Sequence, residues 1–210
     1  ASFEDSDAVL ADNFARACRA AGVRRIVYLG GLMPDERTHR APLSKHLASR
    51  REVEQILGSH GAEVVALRAG LVVGAEGSSL QMLTTLVQRL PVLVCPRWTR
   101  SVTQPIAAED AVGILRDAIL SPDLPAGAHD IGGPDVVTYQ HLMQAAARAL
   151  GLRRWFIEVP FFSPGLSLLW VRLITGASRN LVNPLIQSLR HEMIVRNNAA
   201  LVAHLPGAAP

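Results

Sequence analysis

The first 95 residues alternate between short apolar runs and longer segments in which apolar residues recur every three or four positions. The runs, at residues 25–29, 63–67 and 91–95, have the length and β-branched content of strands, whereas the longer segments have the period of helices. Apart from Arg25 and Glu63, which begin two of the runs, these segments are apolar at successive rather than alternate positions, which is typical of strands covered on both faces. The sequence therefore predicts an α/β fold built on a doubly wound parallel sheet.

The second half of the chain is more mixed. Helices are predicted at residues 108–120, 139–150, 163–175 and 181–191, and short strands at residues 102–106, 129–131 and 155–159. We accordingly assign residues 1–105 to the main sheet and residues 106–210 to a small C-terminal α/β lobe. In the first helix, expected to end before Gly22, an apolar stripe is predicted to face the core: Val9, Leu10, Phe14, Ala17 and Cys18.

Composition excludes several classes of function. The formal charge is only +3, and the basic residues are spread along the chain, so no nucleic-acid-binding face is expected. Cys18 and Cys95 are too few for a secreted disulfide framework and lack metal-site spacing, so the cytoplasm is the expected compartment. His191 and Glu192 lie together without a further ligand nearby, so no metal is predicted. No apolar run reaches the ~18–20 residues of a spanning helix.

Gly30 and Gly31 follow the first predicted strand and have two possible roles. They could form a tight turn with positive φ, or they could let a cofactor approach the backbone. The 210 residues contain no G-x-G-x-x-G, P-loop, G-x-S-x-G or H-E-x-x-H motif. The glycine pair alone does not decide between these roles.

Five segments, in order and at matching spacing, resemble the extended and atypical short-chain dehydrogenase/reductase superfamily, especially its NAD(P)H-binding, NmrA-like and epimerase-like branch. They are residues 23–32, 44–53, 67–74, 104–106 and 130–135. The resemblance implies that residues 1–105 are the C-terminal part of a Rossmann-like NAD(P)-binding domain and that residues 106–210 form a substrate-binding lobe. It also implies that Ala1 follows the family's fourth strand. We therefore expect a preceding segment or a partner chain to complete the sheet, because an open apolar edge at residues 26–29 favours aggregation.

The resemblance places His46 and Arg50 where the family has its catalytic tyrosine and lysine. Neither Tyr28 nor Tyr139 is followed by a lysine four residues later, so that pair is absent from the sequence. Three interpretations remain. His46 could carry the proton, with Arg50 lowering its pKa and holding the ribose or phosphate. Alternatively, both residues could hold a cofactor without chemistry, or both could lie on a solvated helix face.

The same resemblance implies the remaining site residues. The predicted cofactor-binding residues are Gly30, Gly31, Leu32, His46, Arg50, Ala69, Gly70 and Leu71. The predicted substrate-lining residues are Arg97, Trp98 and Gln104. An ordinary strand exit is the alternative for residues 68–74, and a surface position is the alternative for the substrate-lining residues, more so for Arg97 than for Gln104.

The implied function is that of an NAD- or NADP-dependent oxidoreductase or epimerase-like enzyme acting on a small, partly apolar substrate. The alternative is a non-catalytic NAD(P)-binding redox-sensing or assembly protein. A third interpretation uses residues 161–175, which carry one charge, for peripheral membrane contact, although a core helix is the simpler explanation.

Overall fold

The computed structural model describes residues 3–35, 43–75, 77–159 and 191–210. Its helices are α1 (Phe3–Ala20), α2 (Lys45–Gly58), α3 (Ser78–Arg89), α4 (Ala108–Leu120), α5 (Tyr139–Ala149) and α6 (Ala199–His204). Its strands are β1 (Arg25–Gly31), β2 (Glu63–Ala69), β3 (Val72–Val73), β4 (Val92–Pro96), β5 (Val102–Thr103), β6 (Ile106–Ala107), β7 (Gly127–Ile131), β8 (Val137–Thr138) and β9 (Trp155–Val159). The predicted helix at 163–175 and almost all of the one at 181–191 lie outside the described residues.

The main sheet of the described residues has the order β1-β2-β7, with all three strands parallel. Parallel neighbours require crossover connections, which α2 supplies between β1 and β2. β4 pairs with β9 in a separate parallel pair, β3 with β6 in another, and β5 with β8 in an antiparallel pair. The predicted mixed α/β architecture with parallel strands is confirmed. Strands on the two sides of the predicted boundary at residue 105 pair with each other. β7, after the boundary, pairs with β2, and β9 pairs with β4.

Helices cover both faces of the main sheet, as the apolar character of β2 requires. One core joins α1 and α2 to one face through residues such as Ala15, Ile26 and Leu57. The other core joins α4 and α6 to Val65 and Leu67, which are completely buried. This two-sided burial explains why residues 64–67 are apolar at every position.

The predicted apolar stripe of α1 is wrong for most of its members. The buried face consists of Ala11, Ala15 and Cys18, whereas Val9, Leu10 and Phe14 are 60%, 65% and 54% exposed; Ala17 is exposed as well. The small residues face α2, where they permit close contact between the two helices. Side-chain size thus decided which face of α1 is buried, and the larger apolar residues remain at the surface.

Gly30 and Gly31 do not form the tight turn with positive φ. They are the last two residues of β1, and the positive-φ glycines are Gly22, Gly61, Gly127 and Gly151. At Gly30, an added Cβ would lie 3.0 Å from the Tyr28 ring. The described backbone thus excludes the turn with positive φ, and the cofactor role of this glycine pair stays a prediction.

Two glycines of the C-terminal half allow a matched test of how closely neighbouring groups pack against a glycine. A Cβ at Gly133 would lie 2.3 Å from the Pro105 carbonyl oxygen, whereas a Cβ at Gly113 in α4 would meet nothing within 4 Å. Gly133→Ala is expected to lower the free energy of unfolding by about 3 kcal/mol because the backbone must shift. Gly113→Ala is expected to raise it by about 0.5–1 kcal/mol. Urea denaturation measures both, and an unchanged Gly133→Ala midpoint would contradict the close approach.

Candidate functional site

The register of the main sheet brings three strand ends together. Gly30, Arg68 and Asp130 lie side by side across β1, β2 and β7, and the next row holds Gly31, Ala69 and Ile131. In open parallel sheets, ligands bind outside the carboxyl ends of the strands. The candidate site therefore lies at this edge, beside the first two turns of α2.

Helix α2 begins where its sequence provides a cap. The Ser44 hydroxyl accepts a hydrogen bond from the Leu47 N–H at 3.3 Å. Leu47 is buried against Leu32 and Met193, which fixes the rotation of this first turn. His46 and Arg50, one turn apart, are both half-buried. The three interpretations of this pair therefore stay predictions, with both side chains partly shielded from water.

Arg50 lies against the end of β1. Its Cγ is 3.9 Å from the position that a Cβ would take at Gly31, so the aliphatic stem passes close to the glycine backbone. Within the described residues, Arg50 makes no hydrogen bond or ion pair. The guanidinium is therefore a half-buried cation with its donors available to a ligand.

Arg68, by contrast, is fully engaged. Its Nε donates to Glu54 Oε2 at 3.0 Å and its Nη2 to Glu54 Oε1 at 2.8 Å. The side chains are only 21% and 17% exposed, so the pair is largely shielded from water. Its Cγ also lies 3.9 Å from the Cβ position of Gly30. This two-bond ion pair ties the end of β2 to the middle of α2.

The backbone of residues 69–71 already has structural partners. The Ala69 carbonyl accepts from the Leu32 N–H at 2.9 Å, and the Leu71 carbonyl accepts from the Ile106 N–H at 2.9 Å. A Cβ at Gly70 would lie 3.2 Å from the side chains of both Leu32 and Met193. The cofactor role of these residues stays a prediction, and it would have to use backbone groups other than those two carbonyls.

A segment that sequence analysis did not connect to the site crosses this sheet edge. We call residues 193–197 the C-terminal strap. The Asp130 carboxylate accepts hydrogen bonds from the backbone N–H groups of Arg196 and Asn197, both at 2.9 Å. Met193 exchanges backbone hydrogen bonds with Val102 and Gln104. The strap therefore holds the ends of β5 and β7 together.

Of the predicted substrate residues, Gln104 is buried and bound by backbone groups. Its Nε2 donates to the Gly133 carbonyl at 2.7 Å, and its Oε1 accepts from the Val195 N–H at 3.0 Å. Trp98 is half-buried and packs edge-to-face on Tyr139 with ring centroids 6.5 Å apart, while its neighbour Arg97 is exposed. The substrate role of the three residues stays a prediction, and Gln104 has an evident structural role.

Neither tyrosine is placed to replace His46 as a proton carrier. Burial raises the pKa of Tyr139 to about 12, with the Thr103 side chain lowering it in part. A hydroxyl of that pKa stays protonated near neutral pH and is a poor acid–base group. The Tyr28 ring packs with the α1–α2 core. Neither tyrosine lies on α2, where His46 is one helical turn before Arg50.

Sequence analysis missed the roles of Glu54, Arg68 and Asp130. Glu54 lies four residues after Arg50, so the helical period could have placed the two side chains together. The pairing of Glu54 with Arg68 instead depends on how α2 packs on β2, for which the sequence has no signal. Asp130, although part of the resemblance, was not assigned a role, and its partners lie 66 and 67 residues away.

No protein-family model and no curated protein matches the chain. Solved structures match it by fold. A dTDP-4-dehydrorhamnose reductase from Bacillus anthracis, in complex with NADP, has a TM-score of 0.58 and 15% identity over 71% of this chain and 55% of that chain. A nucleoside-diphosphate-sugar epimerase from Staphylococcus aureus has a TM-score of 0.68 and 13% identity over 93% and 65%. A Thermus thermophilus UDP-glucose 4-epimerase, in complex with NAD, has a TM-score of 0.52 and 19% identity over 85% and 68%.

These likenesses confirm the predicted Rossmann-like fold, which the chain shares with a reductase and two epimerases of known structure. The chain spans only 55% of the length of the Bacillus anthracis reductase. Within the described residues, no helix has the length and apolar character needed to cross a membrane. The same part of the chain has no cluster of three or more His, Cys, Asp or Glu residues suited to a metal ion.

The pKa of Tyr139 predicts a pH dependence of stability. An unfolded tyrosine titrates near pH 10, so between pH 10 and about 12 the folded chain binds more protons than the unfolded one. The stabilisation is therefore complete below pH 10 and is lost as pH rises through this window, by about 2 kcal/mol in total. Urea unfolding of wild type and Tyr139→Phe at pH 8 to 11 measures the slope, and equal slopes for the two proteins would contradict the prediction.

Proposed function

We propose that this chain functions in an NAD(P)-dependent oxidoreductase or epimerase-like enzyme acting on a small, partly apolar substrate. The observation that carries the proposal is Arg50, a half-buried cation without a hydrogen bond or ion pair among the described residues, placed beside Gly31 at the carboxyl end of β1. A half-buried charge is costly unless a ligand or partner compensates it. In a Rossmann-like sheet, this edge is where a dinucleotide binds.

A guanidinium at this place suits a nucleotide cofactor. Its five N–H donors form a rigid fork that matches phosphate oxygens and the paired hydroxyls of ribose. Two of the fold neighbours described above were solved with a nucleotide cofactor, the reductase with NADP and the UDP-glucose 4-epimerase with NAD. The cofactor, when bound, would supply hydride chemistry. Arg50 would hold its ribose or phosphate, and Gly30 and Gly31 would let it approach the backbone of β1.

His46 is the proposed proton carrier of the enzyme. It is one helical turn before Arg50, so both side chains reach the same region. The unperturbed pKa of a histidine side chain, ~6.5, suits proton transfer close to neutral pH. Trp98 and Arg97 are proposed to contact the substrate, with the indole ring offering an apolar surface.

The second candidate function is a non-catalytic NAD(P)-binding redox-sensing or assembly protein. The observation that favours it is the absence of a tyrosine at position 46, since Tyr28 and Tyr139 are both committed to apolar packing. Such a protein would use Arg50 to hold the nucleotide and would need no acid. The two candidates therefore share the binding site and differ only at His46.

The sheet edge at β1 bears on both candidates. Within the described residues, β1 pairs only with β2, so its other edge is open. Leu29, near the end of this strand, is 37% exposed. We propose that a further strand, from a preceding segment or a partner chain, pairs with this edge and completes the nucleotide site. Binding is therefore best measured both on these 210 residues and on the longest natural form of the protein.

Arg50 provides the binding test. Arg50→Gln is expected to weaken NADH or NADPH binding about tenfold or more, because a charge-assisted, two-donor contact to the nucleotide is lost. Arg51→Gln, on the exposed neighbour in α2, is the matched control and is expected to change affinity less than twofold. Fluorescence titration with both nucleotides measures the effect. Wild-type protein that binds neither nucleotide in its longest form would overturn both candidate functions.

His46 separates the two candidates. We expect His46→Gln to lower turnover about a hundredfold or more, because proton transfer is lost, while nucleotide affinity stays within threefold. The assay follows NAD(P)H oxidation with a panel of small carbonyl compounds of graded apolar character. A wild-type protein that binds nucleotide but consumes no carbonyl compound would favour the sensing or assembly function. Unchanged turnover in His46→Gln would remove the histidine from the mechanism.

A further inference from the structure

The aliphatic stems of two arginines flank the glycine pair at the end of β1, and the two guanidinium groups differ in their partners. The Arg68 stem lies beside Gly30 and the Arg50 stem beside Gly31, with each Cγ 3.9 Å from the corresponding Cβ position. Arg68 is neutralised by Glu54 through two hydrogen bonds of 3.0 and 2.8 Å. Arg50 has no such partner among the described residues. The site edge thus presents one compensated and one uncompensated cation.

Glu54 lies four residues after Arg50 on α2, so the helix alone would allow these two side chains to pair. That order, with the cation first, is the weaker one because it opposes the helix dipole. Arg68 reaches the same carboxylate from β2 with both hydrogen bonds formed and little exposure to water. The bond from the strand therefore outcompetes the bond along the helix.

We propose that Arg68 is a positioning residue of the anion-binding site: it holds the Glu54 carboxylate away from Arg50 and so keeps the Arg50 guanidinium available for a phosphate-bearing nucleotide. The proposal rests on the proposed nucleotide function of Arg50. Arg68 need not touch the ligand itself. Its effect is exerted through the choice of partner that Glu54 makes.

This role predicts a pattern of variants that mere stabilisation would not produce. In Arg68→Met, Glu54 is left as a largely buried carboxylate, and Arg50 is expected to turn towards it. Binding of NADH and of inorganic pyrophosphate should then weaken about tenfold. In Arg68→Met with Glu54→Gln, no carboxylate competes for Arg50, and affinity should recover to within twofold of wild type. In an Arg50→Gln background, adding Arg68→Met should change affinity less than twofold.

A direct readout of the Arg50 side chain keeps the inference separate from the proposed function. Nuclear magnetic resonance of the arginine Nε–H groups, assigned with Arg50→Gln and Arg68→Met, reports hydrogen exchange at each guanidinium without any ligand. Exchange at Arg50 is expected to be fast in wild type, slow in Arg68→Met and fast again when Glu54→Gln is added. This result would support the positioning role even if no nucleotide binds, in which case only the nucleotide function fails.

Arg51 is the competing cation, three residues before Glu54 and exposed. If Arg51 pairs with the Glu54 carboxylate instead, hydrogen exchange at the Arg50 guanidinium stays fast in Arg68→Met. The affinity of the Arg68→Met protein for pyrophosphate then does not change. That outcome overturns the inference. A second outcome also overturns the inference: Arg68→Met loses binding, Glu54→Gln does not restore it, and hydrogen exchange at Arg50 is unchanged. That result would show that Arg68 has a purely structural role.

Discussion

The parallel register of β1, β2 and β7 is the constraint on which the candidate site depends. It aligns Gly30 with Arg68 and Asp130, and Gly31 with Ala69 and Ile131. A shift of one residue in either pairing would turn every side chain of the shifted strand to the opposite face of the sheet. The complete burial of Val65 and Leu67 between two layers of helices makes such a shift costly. Packing of the core therefore fixes which side chains meet at the sheet edge.

Charged side chains at this edge bind groups that come from distant parts of the chain. Asp130 is engaged by the backbone of the C-terminal strap, and Arg68 by Glu54 of α2. Both interactions join segments that are separate in sequence, and both leave little exposed charge behind. Arg50 is the cation that this arrangement leaves available. The chemical character of the site thus follows from which charged groups the fold has already compensated.

Glycines contribute to the site through close contacts rather than unusual backbone angles. Gly30 and Gly31 end a regular strand, and the stems of two arginines lie against them. Gly70 accommodates Leu32 and Met193, and Gly132 accommodates the strap at Val195. A sequence pattern of glycines after strands indicates a crowded sheet edge, but it does not show whether backbone, side chain or ligand fills the space.

The sequence by itself determined most of the longer elements and their order, because the period of apolar residues and the capping serine act locally. It did not predict β3, β8 or α6, and it merged β5 and β6 into one strand. It placed β9 and α4 at their observed bounds, and it located His46 and Arg50 on one helix face beside the glycine pair. Only the tertiary structure decided that α1 buries its alanines instead of Phe14, that β4 pairs with β9, and that Gln104 binds backbone. It also decided that Glu54 pairs with Arg68 and leaves Arg50 available. These outcomes depend on packing between segments far apart in the chain, where side-chain size and competition for partners matter and local pattern carries no information.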